Sequence, residues 1–456
     1  MVARERLAPL RGRIRRASAL LSWAAWGTAL AAVPARASDI IPVPDFTDYR
    51  VPISVPPAVE HPGWEWLSVL LLALALCLAS YLALARRSRR GVYALTVACL
   101  LWFGFFREGC VCPIGAIQNV ALAIGDPGYA LPASVLLFFL LPVVFTLFFG
   151  RTFCAAVCPL GAVQEVVAVR PVQVPRWLDH GLGLIPFFYL GLALLYAATA
   201  TGFVVCRYDP FVAMFRLSGN FNMLVFGAAV VLIGVFVGRP YCRYLCPLGA
   251  VLAVCSRASK WHVRIAPTEC TRCRLCESSC PYGAIELPTR PLPSRMRPAA
   301  RTRLATALGL APLLVLAGVL VGGLLALPLA RLHPEDRLAE RVLREDQGLV
   351  EGTTDASEAF RNTGRPVEEL VADVLAIRAG FRLGGRWLGA WMGLVVGLKL
   401  IALTVRGKRE DYLPDRGRCV SCGRCYKYCP EEQMTLGDLR EQAEWESAET
   451  AEVASP

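Results

Sequence analysis

Two cysteine-rich stretches decide the fold, CTRCRLCESSCPYGAIE at residues 270–286 and CVSCGRCYKYCPEE at residues 419–432. Each has the spacing C-x-x-C-x-x-C-x-x-x-C-P. In ferredoxins with two clusters, the first three cysteines of such a run bind one 4Fe–4S cluster and the fourth binds the other cluster. The spacing therefore predicts two 4Fe–4S clusters whose ligands come from both stretches. The expected ligand sets are Cys270, Cys273, Cys276 and Cys429 for one cluster, and Cys419, Cys422, Cys425 and Cys280 for the other.

The chain around these stretches has the composition of a membrane protein. Of its 456 residues, 55% are hydrophobic and only 18% are charged. Soluble domains carry roughly 25% charged residues, and disordered chains are far less apolar, so both classes are excluded. A helix needs about 20 apolar residues to cross a bilayer. Candidate spans are residues 66–85, 91–106, 134–150, 181–205, 221–238, 304–330 and 383–405.

The net charge of +12 indicates membrane topology rather than nucleic-acid binding. Twelve Lys and Arg face three Glu in residues 239–303, which we therefore place in the cytoplasm. Residues 38–65 and 331–380 carry more acidic than basic residues and are expected in the periplasm. Residues 1–37 resemble a signal peptide that ends in Ala-Arg-Ala, although an uncleaved first span is the alternative.

These assignments give a predicted fold class and domain order. The fold is expected to be an all-α polytopic membrane protein with six or seven transmembrane helices and a small cytoplasmic ferredoxin-like α+β module split across the sequence. The predicted segments are a signal peptide (1–37), a short periplasmic segment (38–65), a membrane domain with a duplicated C-x-x-x-C-P unit (66–255), ferredoxin half 1 (256–300), a transmembrane helix (301–330), a periplasmic loop (331–382), a transmembrane helix (383–405), ferredoxin half 2 (406–435) and a disordered acidic tail (436–456). Because two spans separate the halves, both halves return to one side of the membrane.

An internal repeat supplies four further cysteines. The stretches GRTFCAAVCPLGAVQEV (150–166) and GRPYCRYLCPLGAVLAV (238–254) share a C-x-x-x-C-P-L-G-A-V core and place Cys154, Cys158, Cys242 and Cys246 on the cytoplasmic side. Four thiols from two related copies indicate a third redox centre, either a metal site or a redox-active dithiol pair. Two structural turns with unligated thiols are the alternative.

A third motif falls on the predicted outer side. FREGCVCPIGAIQNV (106–120) contains Cys110 and Cys112, and Cys206 in VVCRYDPF is the nearest predicted partner. Three thiols could form a periplasmic redox or metal site, or a disulfide with one spare thiol, and local packing is the alternative. Glu165, Asp209 and His180 lie near predicted interfaces, where they would handle protons or serve only as polar interfacial residues.

The order of these motifs resembles the NosR-type polyferredoxins, membrane iron–sulfur proteins associated with nitrous oxide reductase and related to NapH-type quinol dehydrogenases. The resemblance covers roughly residues 65–430. It implies two cytoplasmic 4Fe–4S clusters and electron delivery toward a periplasmic enzyme or its maturation. Full-length members carry a periplasmic flavin domain with covalent FMN. Residues 38–65 and 331–380 are too short for such a domain, so FMN is expected only on a partner, if at all.

We therefore expect a membrane electron carrier in the bacterial inner membrane, with its clusters on the cytoplasmic side. It would pass electrons between the cytoplasmic or quinone side and a periplasmic reductase or flavoprotein. The expected partners are the lipid bilayer, a cytoplasmic donor or quinol, and that periplasmic protein, with no nucleic acid. A quinol dehydrogenase activity stays open. The alternative function is a maturation factor that reduces or delivers a metal for a periplasmic or membrane metalloenzyme.

Overall fold

The structure, a computed structural model, describes residues 62–109, 112–169, 171–216, 221–265, 270–289, 297–405, 409–431 and 433–434. The predicted signal peptide, nearly all of the predicted periplasmic segment 38–65, the acidic tail and Cys110 lie outside the described residues. Everything below concerns the described part of the chain.

Helices dominate the first part of the chain. The α-helices of residues 62–257 are α1 (Pro62–Ser80), α2 (Arg89–Cys99), α3 (Pro113–Gly125), α4 (Ala133–Phe149), α5 (Pro159–Val167), α6 (Arg176–Leu182), α7 (Ile185–Ala198), α8 (Val204–Tyr208), α9 (Pro210–Arg216), α10 (Phe221–Phe236), α11 (Pro240–Tyr244) and α12 (Pro247–Arg257). Three π-helical turns interrupt them, namely π1 (Tyr81–Ala85), π2 (Leu100–Phe106) and π3 (Phe153–Val157). Such turns are frequent at functional sites, and π3 contains the first cysteine of the repeat.

Five helices are long and apolar enough to cross a membrane: Gly63–Ala85, Arg89–Phe106, Arg176–Ala198, Pro298–Ala330 and Val367–Thr404. They correspond to five of the seven predicted spans. The other two, α4 and α10, have 17 and 16 residues. At 1.5 Å per residue they reach about 25 Å, which is shorter than the apolar core of about 30 Å. The chain is a helical membrane protein, and the count of seven spans stays a prediction.

The surface of α1 shows how the bundle meets its surroundings. Leu72 and Leu76 are fully buried in the core of the bundle, whereas Leu70, Leu74 and Leu78 are exposed on the opposite face. Exposed leucines at four-residue spacing form a continuous apolar stripe, which is unfavourable in water and favourable in lipid. The hydropathy of this helix therefore reflects both a protein-facing and a lipid-facing side.

A helical hairpin follows the bundle. It consists of α14 (Arg297–Ala330) and α17 (Val367–Thr404), and its interface is lined by glycines. A Cβ at Gly322 would meet the carbonyl of Gly385, and a Cβ at Gly389 would meet the carbonyl of Gly318. Small residues let membrane helices approach until their backbones touch, which is the packing that lipid-embedded helices favour.

The hairpin differs from its prediction at both ends. The predicted spans were 304–330 and 383–405, but α14 and α17 begin earlier, and the predicted loop 331–382 contains α15 (Pro334–Asp346), α16 (Asp355–Asn362) and the first turns of α17. Their apolar sides form a small core with Val342, Phe360 and Leu370. Hydropathy finds only the apolar part of a helix, so it missed the amphipathic first turns of α17.

The remaining elements bring the two cysteine-rich stretches together. They are α13 (Leu275–Ser279), β1 (Ile285–Glu286), β2 (Leu413–Pro414) and α18 (Arg424–Lys427). β1 and β2 pair antiparallel, with Ile285 opposite Pro414. A separate hydrophobic core contains residues of both stretches, including Tyr282, Val420 and Tyr426. We call this unit the cysteine module. Both stretches contribute to it, whereas its ferredoxin-like nature and its cytoplasmic location stay predictions.

Candidate iron–sulfur centres

The two cysteine-rich loops have the same backbone conformation. Arg272 and Ser421, which precede the second cysteine of each stretch, have φ of 54° and 56°. Arg274 and Gly423, which follow that cysteine, have φ of 63° and 77°. Left-handed residues at matching positions turn the chain so that successive cysteines face one point. The repeat in the sequence is therefore a repeat in the backbone.

The first predicted ligand set surrounds one cavity. This cavity, of about 160 Å³, is lined by Cys270, Cys273, Cys276 and Cys429 together with mostly polar neighbours. Burial and the neighbouring thiols raise the pKa of Cys276 to about 11 in the metal-free chain. The four thiols lie close enough to oppose each other's ionisation. Bound iron ions would stabilise their thiolate forms. Cys429 comes from the distant stretch, as the predicted crossover requires.

The second predicted set lies together in the same core. Cys280, Cys422 and Cys425 are buried, and Cys419 is partly buried beside them. Burial and the thiols of Cys419, Cys422 and Cys280 raise the pKa of Cys425 well above its ordinary value. Here Cys280 is the residue from the other stretch. The structure thus gathers both predicted sets, and their role as ligands stays a prediction.

The thiols suit a multi-iron cluster better than a single ion. The 17 described cysteines are all free thiols. Among the described residues, no three His, Cys, Asp or Glu side chains converge closely enough to hold one metal ion. A 4Fe–4S cluster offers a separate iron to each of its four cysteines, so its ligands are spaced more widely than those of one zinc ion. The donor chemistry and the cavity therefore fit 4Fe–4S clusters.

A buried carboxylate joins the cysteine module to the membrane bundle. Glu165, in α5, is only 3% exposed. It forms ion pairs with Arg89, with Arg239 at 3.2 Å and with Arg424 at 2.8 Å, and it accepts a hydrogen bond from Tyr282 at 2.7 Å. Burial alone would raise the pKa of this carboxyl, but the three guanidinium groups and the tyrosine hold the pKa well below its usual range.

The sequence left Glu165 either as a proton-handling group or as a polar interfacial residue, and its surroundings do not favour proton handling. A carboxylate held ionised by three arginines does not exchange protons near neutral pH. Arg424 belongs to the second cysteine stretch and Tyr282 to the first, while Arg89 and Arg239 flank the membrane bundle. Arg89 also donates to the carbonyl of Cys422 at 2.9 Å. Glu165 therefore holds both halves of the module against the bundle.

A second carboxylate repeats this arrangement at the other edge of the module. Asp179 accepts hydrogen bonds from Tyr244 at 2.9 Å and pairs with Arg243 at 2.7 Å and Arg418 at 3.3 Å. Arg418 directly precedes the second cysteine stretch and also lies 2.8 Å from the Nδ1 atom of His180. His180 is therefore a polar partner of Arg418, which also pairs with Asp179. Its described contacts do not indicate a role in proton transfer.

The four cysteines of the internal repeat meet inside the bundle. Cys158 and Cys246 each occupy the position before a Pro that begins a helix, α5 and α12 respectively. The thiol of Cys246 accepts a hydrogen bond from the amide of Gly249 at 3.3 Å. Cys158 interacts electrostatically with Cys154 and Cys242, and Cys246 interacts with all three. We call these four residues the inner thiols.

Cys154 connects the inner thiols to the cysteine module. Its side chain packs against both the core of the membrane bundle and the core of the module. Arg151 lies between them, because it donates to the carbonyl of Gly417 at 3.0 Å and approaches the Cys154 thiol to 3.7 Å. The inner thiols therefore lie directly beneath the module.

The third motif is partly described. Cys110 lies outside the described residues. Cys112 packs against the core of the bundle, and Cys206 is exposed at its surface. Cys112 interacts electrostatically with Cys206 and also with Cys158 of the inner thiols. Cys206 therefore lies near Cys112, and a redox or metal site formed by these thiols stays a prediction. The side of the membrane on which each motif lies stays a prediction.

Two polar residues of this region were not singled out from the sequence. Gln164 donates to the Cys242 thiol at 3.2 Å and accepts from the amide of Tyr241 at 2.9 Å. Arg239 is fully buried and donates to the carbonyls of Cys154 and Ala155. A signal existed for the glutamine, because PIGAIQ and PLGAVQ place Gln at the same distance from their Cys-Pro pairs.

Two family models match the chain. A 4Fe-4S binding domain matches residues 131–184 and 220–266, which contain both C-x-x-x-C-P motifs. Another 4Fe-4S binding domain matches residues 263–286, which contain the first cysteine-rich stretch. These matches support iron–sulfur clusters on this chain and do not fix their number.

Curated relatives share shorter stretches. Protein NirI of Paracoccus denitrificans is 34% identical over 125 residues, which are 26% of this chain and 18% of NirI. The putative electron transport protein YccM of Escherichia coli is 32% identical over 123 residues, 25% of this chain and 34% of YccM. The regulatory protein NosR of Pseudomonas aeruginosa is 32% identical over 120 residues, 25% of this chain and 16% of NosR.

This chain spans no more than about a third of each of these three relatives. No solved structure matches it. The segments matched by the family models hold Cys154, Cys158, Cys242, Cys246 and the first cysteine-rich stretch, which the fold brings close together. Together with its apolar helices of membrane-spanning length, they show a membrane iron–sulfur protein that is similar to NosR and NirI over these stretches.

Proposed function

We propose that the chain is an iron–sulfur electron carrier of the bacterial inner membrane. It takes electrons on the cytoplasmic side, from a soluble donor or from quinol, and delivers them to a reductase or flavoprotein in the periplasm. The observation that carries this proposal is a continuous series of thiols. The series begins at the exposed Cys273 of the module, passes Cys154 and ends at the exposed Cys206.

The series matters because of distance. A bilayer has an apolar core of about 30 Å, too wide for one fast electron transfer, so a carrier needs intermediate centres. Iron–sulfur clusters accept and release single electrons. Cys154 brings the inner thiols against the module, and Cys158 brings them near Cys112. Each group of thiols therefore has the next group as its neighbour.

We further propose that the inner thiols bind a third iron–sulfur centre. Four cysteines converge there, and both of their motifs fall within the matched 4Fe-4S binding domain. The amide of Gly249 donates to one thiol and Gln164 donates to another. Hydrogen bonds to sulfur stabilise the more negative, reduced state of a cluster and so raise its reduction potential.

The charges around the module act in the same direction. Arg89, Arg239 and Arg424 surround the single carboxylate of Glu165, which leaves a surplus of positive charge next to Cys422. A positive surplus favours the reduced form of a cluster. The arginines around Glu165 therefore attach the module to the bundle and also influence the reduction potential of the neighbouring cluster.

Trans-bilayer electron transfer tests the proposal. The purified full chain is reconstituted anaerobically into lipid vesicles that contain ferricyanide, and a membrane-impermeant reductant is added outside. We expect the trapped ferricyanide to be reduced only in vesicles that contain the protein. Cys154→Ser and Cys158→Ser should abolish this reduction, whereas Cys77→Ser, which changes a free cysteine of α1 outside the series, should not.

Two results would contradict the proposal. One is a wild-type rate equal to that of empty vesicles, although the iron content shows that the clusters are present. The other is an unchanged rate in Cys154→Ser, since the series would then not be the route. Iron and acid-labile sulfide are measured on every preparation so that a missing cluster is not mistaken for a missing route.

A further inference from the structure

The thiols at Cys112 and Cys206 lie in a frame that copies the frame of the inner thiols. α8 and α11 are both five-residue helices, and each carries its cysteine in third place, followed by Arg and Tyr. The sequences are VVCRY and PYCRY. Each short helix leads directly into a helix that begins with proline, Pro210 for α9 and Pro247 for α12.

The glutamines of the two frames make the same contacts. Gln118 donates to the Cys206 thiol at 3.4 Å and accepts from the amide of Val205 at 2.9 Å. Gln164 makes the corresponding two bonds to Cys242 and to the residue before it, at 3.2 and 2.9 Å. In each frame the glutamine stands six residues after the cysteine of a Cys-Pro pair. Two bonds to the same two positions are a structural duplication rather than a chance contact.

Asp209 occupies the place of a cysteine in this second frame. It directly precedes Pro210, as Cys246 precedes Pro247. Its φ and ψ are −76° and 113°, and those of Cys246 are −66° and 114°. CRYDP is thus the shortened counterpart of CRYLCP, with a carboxylate where the inner frame has a thiol.

The carboxyl group of Asp209 is buried, and none of the described cations pairs with it. The residue is 4% exposed, and its recorded hydrogen bond comes from the amide of Phe211 at 2.9 Å. Within the described part of the chain, no Arg, Lys or His forms an ion pair with it. A buried carboxyl group without a cation is costly to ionise, so such a group either stays protonated or is paired with a cation or a metal. Cys112 lies close enough to Asp209 and to Cys206 for electrostatic interaction, and the Cys206 thiol lies where a Cβ at Gly115, three residues after Cys112, would meet it at 3.3 Å.

We propose that Cys112, Cys206 and Asp209 bind a further iron–sulfur cluster, with a carboxylate as one of its protein ligands. This inference deepens the proposed function and rests on it. It does not depend on Cys110, which lies outside the described residues. The absence of three side chains converging on one ion does not oppose it, because the same holds for the eight cysteines of the module.

The position of this site makes it the outermost centre of the series. Tyr241 lies between the frames, since it interacts electrostatically with Asp209, Cys112 and Cys246. Cys206 reaches the protein surface. When one electron passes from the inner centre to the outer centre, the inner centre would be oxidised by one electron and the outer centre reduced by one electron. The exposed side of the site would then face the acceptor protein.

Iron analysis of the full chain tests the inference. The chain is labelled with ⁵⁷Fe, purified anaerobically and examined for iron and sulfide content, Mössbauer spectrum and thermal midpoint. We expect Asp209→Ala and Cys206→Ser to lose the same spectral component and a similar amount of iron. Asp209→Cys should keep the iron but shift this component, because a sulfur ligand replaces an oxygen ligand. Asp126→Ala, which removes an exposed carboxylate beyond α3, should match the wild type.

The outcomes separate this inference from the proposed function. If Asp209→Ala and Cys206→Ser keep all their iron while the clusters of the module and the inner thiols are present, the outer cluster does not exist and the electron carrier stands. A wild type without iron overturns both. If Asp209→Ala fails to fold, Asp209→Cys decides. Wild-type iron with a shifted component supports the ligand, and an unshifted spectrum contradicts it.

Discussion

The cysteine module and the membrane bundle gather thiols in different ways. In the module, loops wrap around a point, and left-handed residues such as Arg274 and Gly423 allow the turns. In the bundle, Cys158 and Cys246 stand before a proline at the start of a helix. The first arrangement depends on two segments about 150 residues apart in the sequence. The second depends on short helices that begin inside one core.

This difference predicts which changes each region tolerates. A loop site is held by its ligands, so removing one thiol or separating the two stretches should dismantle it. A helix-start site is held by the packing of the bundle, so its thiols should stay in place without metal. The module should therefore lose structure when its clusters are lost, and the bundle should not.

The largest expected effect comes from the crossover cysteines. Cys429→Ser should remove the cluster that is also held by Cys270, Cys273 and Cys276, which lowers the iron content by about four per chain. Iron analysis and EPR of the reduced protein measure this loss. The crossover makes a sharper claim, since the EPR spectrum of Cys429→Ser should resemble that of Cys276→Ser and differ from that of Cys425→Ser. The reverse resemblance would show that each stretch binds its own cluster.

The next effect comes from the contact between the two regions. Glu165→Gln removes the only negative charge among three arginines, and breaking a buried ion pair typically costs about 3–5 kcal/mol. We expect a large fall in the thermal midpoint of unfolding and a module that detaches from the bundle. Limited proteolysis between α12 and α13 would detect the detachment. The control is Glu340→Gln, which breaks the exposed ion pair of Glu340 with Arg344 on α15 and should leave the midpoint unchanged.

The pH dependence of this contact has a definite sign. The pKa of Glu165 in the folded protein lies well below its usual range of about 4.3. A lowered pKa contributes stability that is complete above the unfolded value and is lost as the pH falls toward the folded value. The difference in midpoint between wild type and Glu165→Gln should therefore be constant from pH 8 to about 5 and shrink at lower pH. A difference that shrinks near pH 7 would contradict the lowered pKa.

A third effect comes from the hairpin that brings the two stretches together. Gly389→Leu places a side chain where the backbone of Gly318 already lies. Overpacking costs about 1–3 kcal/mol, and a backbone neighbour cannot move aside easily. We expect a lower thermal midpoint and partial loss of iron from the module.

Gly380→Leu is the matched control for this change, because it lies on the same helix and has nothing within 4 Å of its Cβ position. It should keep both the midpoint and the iron. Equal iron in the two leucine variants would show that the module assembles without close packing of α14 against α17.

The sequence predicted the module more completely than the bundle, and the reason is physical. Cluster ligands need fixed residue types at fixed spacing, so Cys270 and Cys429 could be paired before any fold was known. Glu165 and Asp209 have no such pattern. Their roles depend on which arginines surround one carboxylate and on the lack of arginines around the other, and only the packing of distant segments decides that.

The spans show the same limit. Hydropathy located five helices that are long enough to cross a membrane, and it also predicted spans at α4 and α10, which have 17 and 16 residues and whose crossing stays a prediction. Apolar composition records burial in lipid or protein alike, so it cannot distinguish a complete crossing from a shorter helix of the bundle. Two of the inner thiols, Cys158 and Cys246, directly precede the short helices that begin at Pro159 and Pro247, a feature that hydropathy does not detect.

The smallest effect tests the matching loops themselves. Gly423 and Arg274 hold corresponding left-handed positions, but only glycine adopts this conformation without strain. Gly423→Ala should cost about 1–2 kcal/mol, and the new methyl group would also press on Tyr426. Arg274→Gly should act in the opposite direction and raise the midpoint slightly, since it removes strain at the equivalent turn. Thermal unfolding of the two variants, with iron content as a check, measures both signs. A lower midpoint in both variants would mean that the Arg274 side chain stabilises its turn by more than the backbone strain destabilises it. The two loops would then share a backbone conformation but differ in the interactions that stabilise them.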